Sequence, residues 1–189
     1  PHPNVDDCSM CHPDTVLADG DIDVVGGKHI HGTVEFTGGA CNACHGGDAN
    51  DAPPISIAGA SDTTGTGVGA HQAHLVDGKI RSAVACAECH VVPDEMLADG
   101  HLDAPPAEVE FGTLAGANGT NPQWDHQGNN CSNTYCHGGT LAGGAFTQPI
   151  WTQVDGVQTA CGGCHGNPPP APHSDVADSH CTVVSVGSH

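Results

Sequence analysis

Apolar and polar positions along this chain seldom settle into a period, and where they do the runs are short. Thr33 to Phe36 and Ala107 to Phe111 alternate apolar and polar side chains, the two-residue repeat of a half-buried strand. His71 to Val76 has the spacing of one helical turn, with His71 and His74 on the same face. Glycine-rich stretches at 59–70 and 138–145 read as surface loops. No apolar run approaches the roughly 20 residues of a membrane span. The expected fold is mostly irregular coil with a few short helices and short strands.

Internal repetition organises what periodicity leaves open. Pro13-Asp-Thr-Val-Leu-Ala-Asp-Gly20 returns as Pro93-Asp-Glu-Met-Leu-Ala-Asp-Gly100, and Thr33-Val-Glu-Phe36 as Glu108-Val-Glu-Phe111. Both halves then reach a Cys-His-Gly-Gly, at 44–47 and at 136–139. The chain therefore reads as one domain over 1–189. It consists of duplicated modules at approximately 8–80 and 86–180, the second with an insertion, and no linker separates them.

Composition argues against an ordinary core. Aromatic residues make up 3%, against 27 glycines and 14 prolines, so little bulky apolar material is present to offset chain entropy. Without a cofactor the polypeptide is expected to be disordered. The 22 acidic residues face only Lys28, Lys79 and Arg81, a net charge of −19. Such a surface repels nucleic acid and anionic membrane. It suits calcium or another divalent cation, cationic redox partner proteins, or metal oxides.

The chemistry lies in the eleven cysteines. Four times the chain writes Cys-x-x-Cys-His: Cys8, Cys11 and His12; Cys41, Cys44 and His45; Cys86, Cys89 and His90; Cys161, Cys164 and His165. A fifth site, fourth in chain order, has four residues between Cys131 and Cys136, followed by His137. This is the attachment pattern of c-type haem: two thiols add to the haem vinyl groups, and the following histidine becomes the proximal iron ligand. Helical turns are expected at these motifs, which place the second cysteine and the histidine on adjoining faces of one turn.

Zinc also uses paired thiolates, but it gives no reason for a histidine after the second cysteine at every site. Five pairs leave only Cys181, so no disulfide framework is expected. Five haems per chain would supply the missing apolar interior. Haem attachment of this kind occurs outside the cytoplasm. The chain beginning at Pro1 thus reads as an exported form whose leader has been removed, extracellular or at the cell surface, with the periplasm as the alternative.

Ten histidines remain beyond the proximal five. Those proposed as sixth ligands are His71 and His74 first, then His29 or His31 and His101, then His173 and His180, with His126 and the terminal His2 in reserve. Methionine, the other common sixth ligand, is limited to Met10 and Met96. Two imidazoles per iron give low-potential haems with no open coordination position, which favours electron transfer over catalysis.

The segment from Asn130 to Gly139, followed by Pro149-Ile-Trp151 and by Ala160 to Pro169, resembles the CxxxxCH/CxxCH multihaem c-type cytochromes of metal-reducing bacteria. Gly69-Ala-His-Gln-Ala-His-Leu75 and Ala85 to Pro93 are similar to the upstream module of that family. The resemblance implies an exported electron carrier, similar to extracellular cytochromes that polymerise head to tail into filaments. It implies His12, His45, His90, His137 and His165 as proximal ligands. After His180 the family would continue with another CxxCH, whereas this chain reads Cys181-Thr-Val-Val-Ser-Val-Gly-Ser-His189. The alternatives are a monomeric periplasmic electron shuttle and a multihaem reductase with one open iron.

Overall fold

The computed structural model describes residues 15–17, 19, 21–24, 26, 41–43, 45–78, 80–95 and 98–167. Within them, regular structure is sparse, as the weak periodicity predicts. One α-helix, α1 (His71–Leu75), one two-stranded antiparallel sheet, β1 (Gln123–Asp125) with β2 (Asn130–Ser132), and several single 3-10 turns are joined by irregular chain. Only Val68 and Ala115 are buried apolar residues among those described, while Val24, Ile80 and Val91 are exposed. With so few buried apolar residues among those described, hydrogen bonds of the backbone and of polar side chains carry much of the local structure.

The backbone divides into two compact units, Pro1–Ala85 with Val92–Ala107, and Cys86–Val91 with Glu108–His189. The first break follows the boundary between the repeated modules. Val92–Ala107, however, packs with the first unit although it follows the third cysteine motif.

α1 has five residues, far too few to persist on helix propensity alone. Two side chains fasten it. Gln72 donates to Asn50 Oδ1 (2.9 Å), Ala52 O (3.2 Å) and Pro53 O (2.9 Å), and accepts from Asn50 Nδ2 (3.0 Å). At the other end Arg81 donates to the carbonyls of Ala73, His74 and Val76, where the helix leaves acceptors unsatisfied.

The alternation at Ala107 to Phe111 does not make a strand. That segment runs irregularly beside the third motif, where Glu110 N–H donates to Cys89 O and Gly112 N–H to Glu88 O, both at 3.0 Å. The strand expected at 33–36 lies outside the described residues. The sheet forms instead at 123–132, with Trp124 opposite Cys131. A bridge between Asn130 and Ile150 extends it, and Trp124 and Trp151 meet edge to face at 6.3 Å.

Candidate functional site

In the second, third and fifth motifs the histidine following the cysteines is oriented by a backbone carbonyl. In the third, the 3-10 turn Cys86–Glu88 brings the N–H groups of Cys89 and His90 onto Cys86 O at 3.1 and 3.0 Å. His90 Nδ1–H donates to Glu108 O at 3.1 Å. His45 Nδ1 does the same to Asp51 O at 2.6 Å, after the 3-10 turn Cys41–Ala43, and His165 Nδ1 to Gly166 O at 2.8 Å. On α1, His71 Nδ1 donates to Val68 O (2.7 Å) and His74 Nδ1 to Ala70 O (2.9 Å).

A carbonyl only accepts, so each of these five rings carries its proton on Nδ1 and keeps its lone pair on Nε2, the tautomer a metal requires. Burial, with the Arg81 charge adding to it, also holds the His74 imidazole below the ordinary histidine range and so keeps it neutral.

His126 is oriented the other way. Its Nδ1 accepts the Trp124 indole N–H at 3.0 Å. Indole nitrogen can only donate, so the His126 proton sits on Nε2 and that nitrogen has no lone pair for iron. The ring also meets Trp124 edge to face, ring centroids 5.9 Å apart. In haem-loaded protein, His126→Ala is expected to leave every iron six-coordinate. The check is carbon monoxide difference spectroscopy of the reduced variant, which should match the parent.

The long spacer of the fourth motif works differently from a single helical turn. Cys131 and Ser132 lie in β2, Asn133 turns the chain at a φ of 53°, and only Tyr135–His137 form a 3-10 turn. Asparagine tolerates that left-handed conformation. Between them Thr134 is buried, and its Oγ1 has no hydrogen-bond partner, the sole such buried side-chain atom among the described residues. A buried hydroxyl left unpaired costs about 1–3 kcal/mol, so a donor held inside the spacer suits a polar atom arriving with a bound group.

Three motifs of the second unit form a continuous series. The Glu88 carboxylate accepts from Leu114 N–H (2.9 Å) and Ala115 N–H (3.2 Å), and Ala115 O accepts from Tyr135 N–H (2.9 Å), which joins the third motif to the fourth. A Cβ on Gly112 would lie 2.7 Å from Glu88 Oε2 and 2.9 Å from the Ala87 backbone oxygen, which cannot swing aside as the carboxylate can, so this approach favours glycine. The fourth then meets the fifth backbone to backbone. Ala145 N–H donates to Gly162 O (2.9 Å), Phe146 N–H to Gly163 O (2.8 Å) and Gly166 N–H to Ala142 O (2.9 Å).

The thiols are close enough to influence one another. Burial, reinforced by Cys136, Glu88 and Cys86, pushes Cys89 up to about 11; burial, with Cys89 and Cys136, pushes Cys131 up to about 12. Burial also raises Cys164. Among the described residues no three Cys, His, Asp or Glu side chains converge to hold a metal ion.

Cys41, Cys86, Cys89, Cys131, Cys136 and Cys164 lie outside any disulfide. Cys161 departs from the expectation that no disulfide forms, because its sulfur is disulfide-bonded. Cys8, Cys11, His12, Cys44, His2, His29, His31, His173, His180 and Cys181 lie outside the described residues. Glu88, Gln72, Thr134 and Gln158 were not read as site residues from the sequence. Gln158 accepts from Ile150 N–H (2.6 Å) and donates to the carbonyls of Ile150 (2.9 Å) and Gln153 (2.8 Å), fixing the approach to the fifth motif.

Paired thiols followed by a histidine are the donor set of a c-type haem, and the described motifs fit that group. Residues 130–165 match the model of the Geobacter CxxxxCH...CXXCH motif family, which is consistent with a multihaem c-type cytochrome. That match spans the fourth and fifth motifs, whereas the resemblance read from the sequence runs through most of the chain. No curated protein and no solved structure matches the chain. No helix among the described residues is long and apolar enough to cross a membrane.

Proposed function

We propose that this protein is an extracellular electron conduit binding five c-type haems, each iron held between two imidazoles. The observation that carries the reading is the hydrogen-bonded series from the third motif, through the Glu88 carboxylate, to the fourth and the fifth, which would hold three cofactors in sequence. When bound, each group supplies an iron that alternates between ferric and ferrous without making or breaking bonds.

The chain's own residues do the rest. Ten cysteines would fix the groups through thioethers, and His12, His45, His90, His137 and His165 would be the proximal ligands. His71 and His74, with Nε2 presented from one short helix, lead the distal candidates. A reductase would need an open iron and cations to hold an anionic substrate, but Arg81 is committed to the α1 carbonyls. The acidic surface would meet cationic redox partners or metal oxides, and copies of this chain would join head to tail in a filament. A heterologous contact of that kind does not close on itself.

Negative-stain microscopy of the haem-loaded protein at micromolar concentration, across salt and calcium, is expected to show filaments. Single particles under every condition would replace the filament by a monomeric shuttle. A stoichiometric carbon monoxide complex of the reduced protein would favour the reductase.

A further inference from the structure

We infer that His101 is the sixth iron ligand of the second haem, the one held by Cys41, Cys44 and His45. This rests on the proposed haem loading. The rings of His45 and His101 stand 6.4 Å apart, centre to centre, with planes at 87°. Two imidazoles on opposite sides of one metal each contribute a bond of about 2 Å and about 1.1 Å from nitrogen to ring centre, a separation of roughly 6.3 Å. Ring pairs in direct contact span about 4.5–7 Å, so distance alone does not decide between the two arrangements.

Two further observations favour the axial arrangement. His45 Nδ1 is occupied by Asp51 O, so Nε2 is the nitrogen that ring offers a metal. In addition, the chain leaves the third motif at Val91 and returns to the first unit over Val92–Ala107, and this excursion brings His101 to His45. A turn closed by His101 N–H on Ala98 O (3.1 Å), next to Gly100 at a φ of 86°, sets the ring's position. The His101 ring is paired in this way with a proximal histidine at axial spacing. The second haem is thus completed by a residue some 56 positions downstream of its proximal histidine (101 minus 45).

The test uses haem-loaded parent, His101→Ala and His101→Met. The parent should bind no carbon monoxide after reduction. His101→Ala should keep the full haem count and gain one carbon monoxide-binding haem, reversed by added imidazole. His101→Met should raise the potential of one haem and leave the others in place. An Ala variant with a full haem count and no such haem overturns the inference. So does a fully loaded Met variant with unchanged potentials, which covers the case of an Ala variant that fails to mature. A parent lacking haem would instead refute the proposed function itself.

Discussion

Replacing Gly138 with valine is expected to destabilise the haem-loaded protein by about 3–4 kcal/mol, among the larger losses a single substitution produces. Gly138 ends the 3-10 turn of the fourth motif in the left-handed conformation, at a φ of 80°. A side chain there costs about 1–2 kcal/mol whatever surrounds it. Here it also has no room, because a Cβ would run into the Cys164 carbonyl of the fifth motif. Backbone cannot yield as a flexible side chain can, so the two motifs must part. Gly119 is the control. It has a φ of 79° but nothing within 4 Å of a Cβ, so Gly119→Val should lose only the conformational part. Thermal unfolding followed at the Soret band gives both values, and equal losses would mean that the fourth and fifth motifs do not depend on this contact.

The second large effect is expected at Glu88, inside the third motif. Its carboxylate terminates the N–H groups of Leu114 and Ala115, and Ala115 in turn accepts from Tyr135. Glu88→Ala leaves two donors without their acceptor in a half-buried setting, a loss of roughly 2–4 kcal/mol from charge-assisted bonds of this kind. Glu88→Gln keeps an acceptor oxygen and should lose about half as much. Both remove a negative charge next to Cys89, and a nearby carboxylate favours ferric over ferrous iron. One haem potential should therefore rise in either variant. Spectroelectrochemical titration reads this, and potentials unchanged in both would separate Glu88 from the third haem.

The cofactor chemistry was legible because it is written in residue types at fixed spacing, which no folding detail alters. The helical turn at His71 and His74 was legible for a similar reason. What holds it was not: Gln72 mimics a peptide group and Arg81 closes three carbonyls, partners that sequence spacing does not announce. At Ala107 to Phe111 the two-residue period was genuine, since the N–H groups of Glu110 and Gly112 do face one neighbour. That neighbour is the turn of the third motif, so the alternation produced a clamp and not a sheet. The hairpin at 123–132 has strands of three residues, too short to register as a pattern. His126 looked like a ligand by type and position, and only the indole beside it shows which nitrogen carries the proton. The cysteine count pointed away from any disulfide, whereas Cys161 is disulfide-bonded.

Haem counting tests the central claim most directly: a pyridine haemochrome assay on the purified, exported protein, set beside its intact mass. The account predicts five haems per chain and a mass five haem groups above the polypeptide. A colourless protein, or one whose mass equals that of the polypeptide alone, would contradict it.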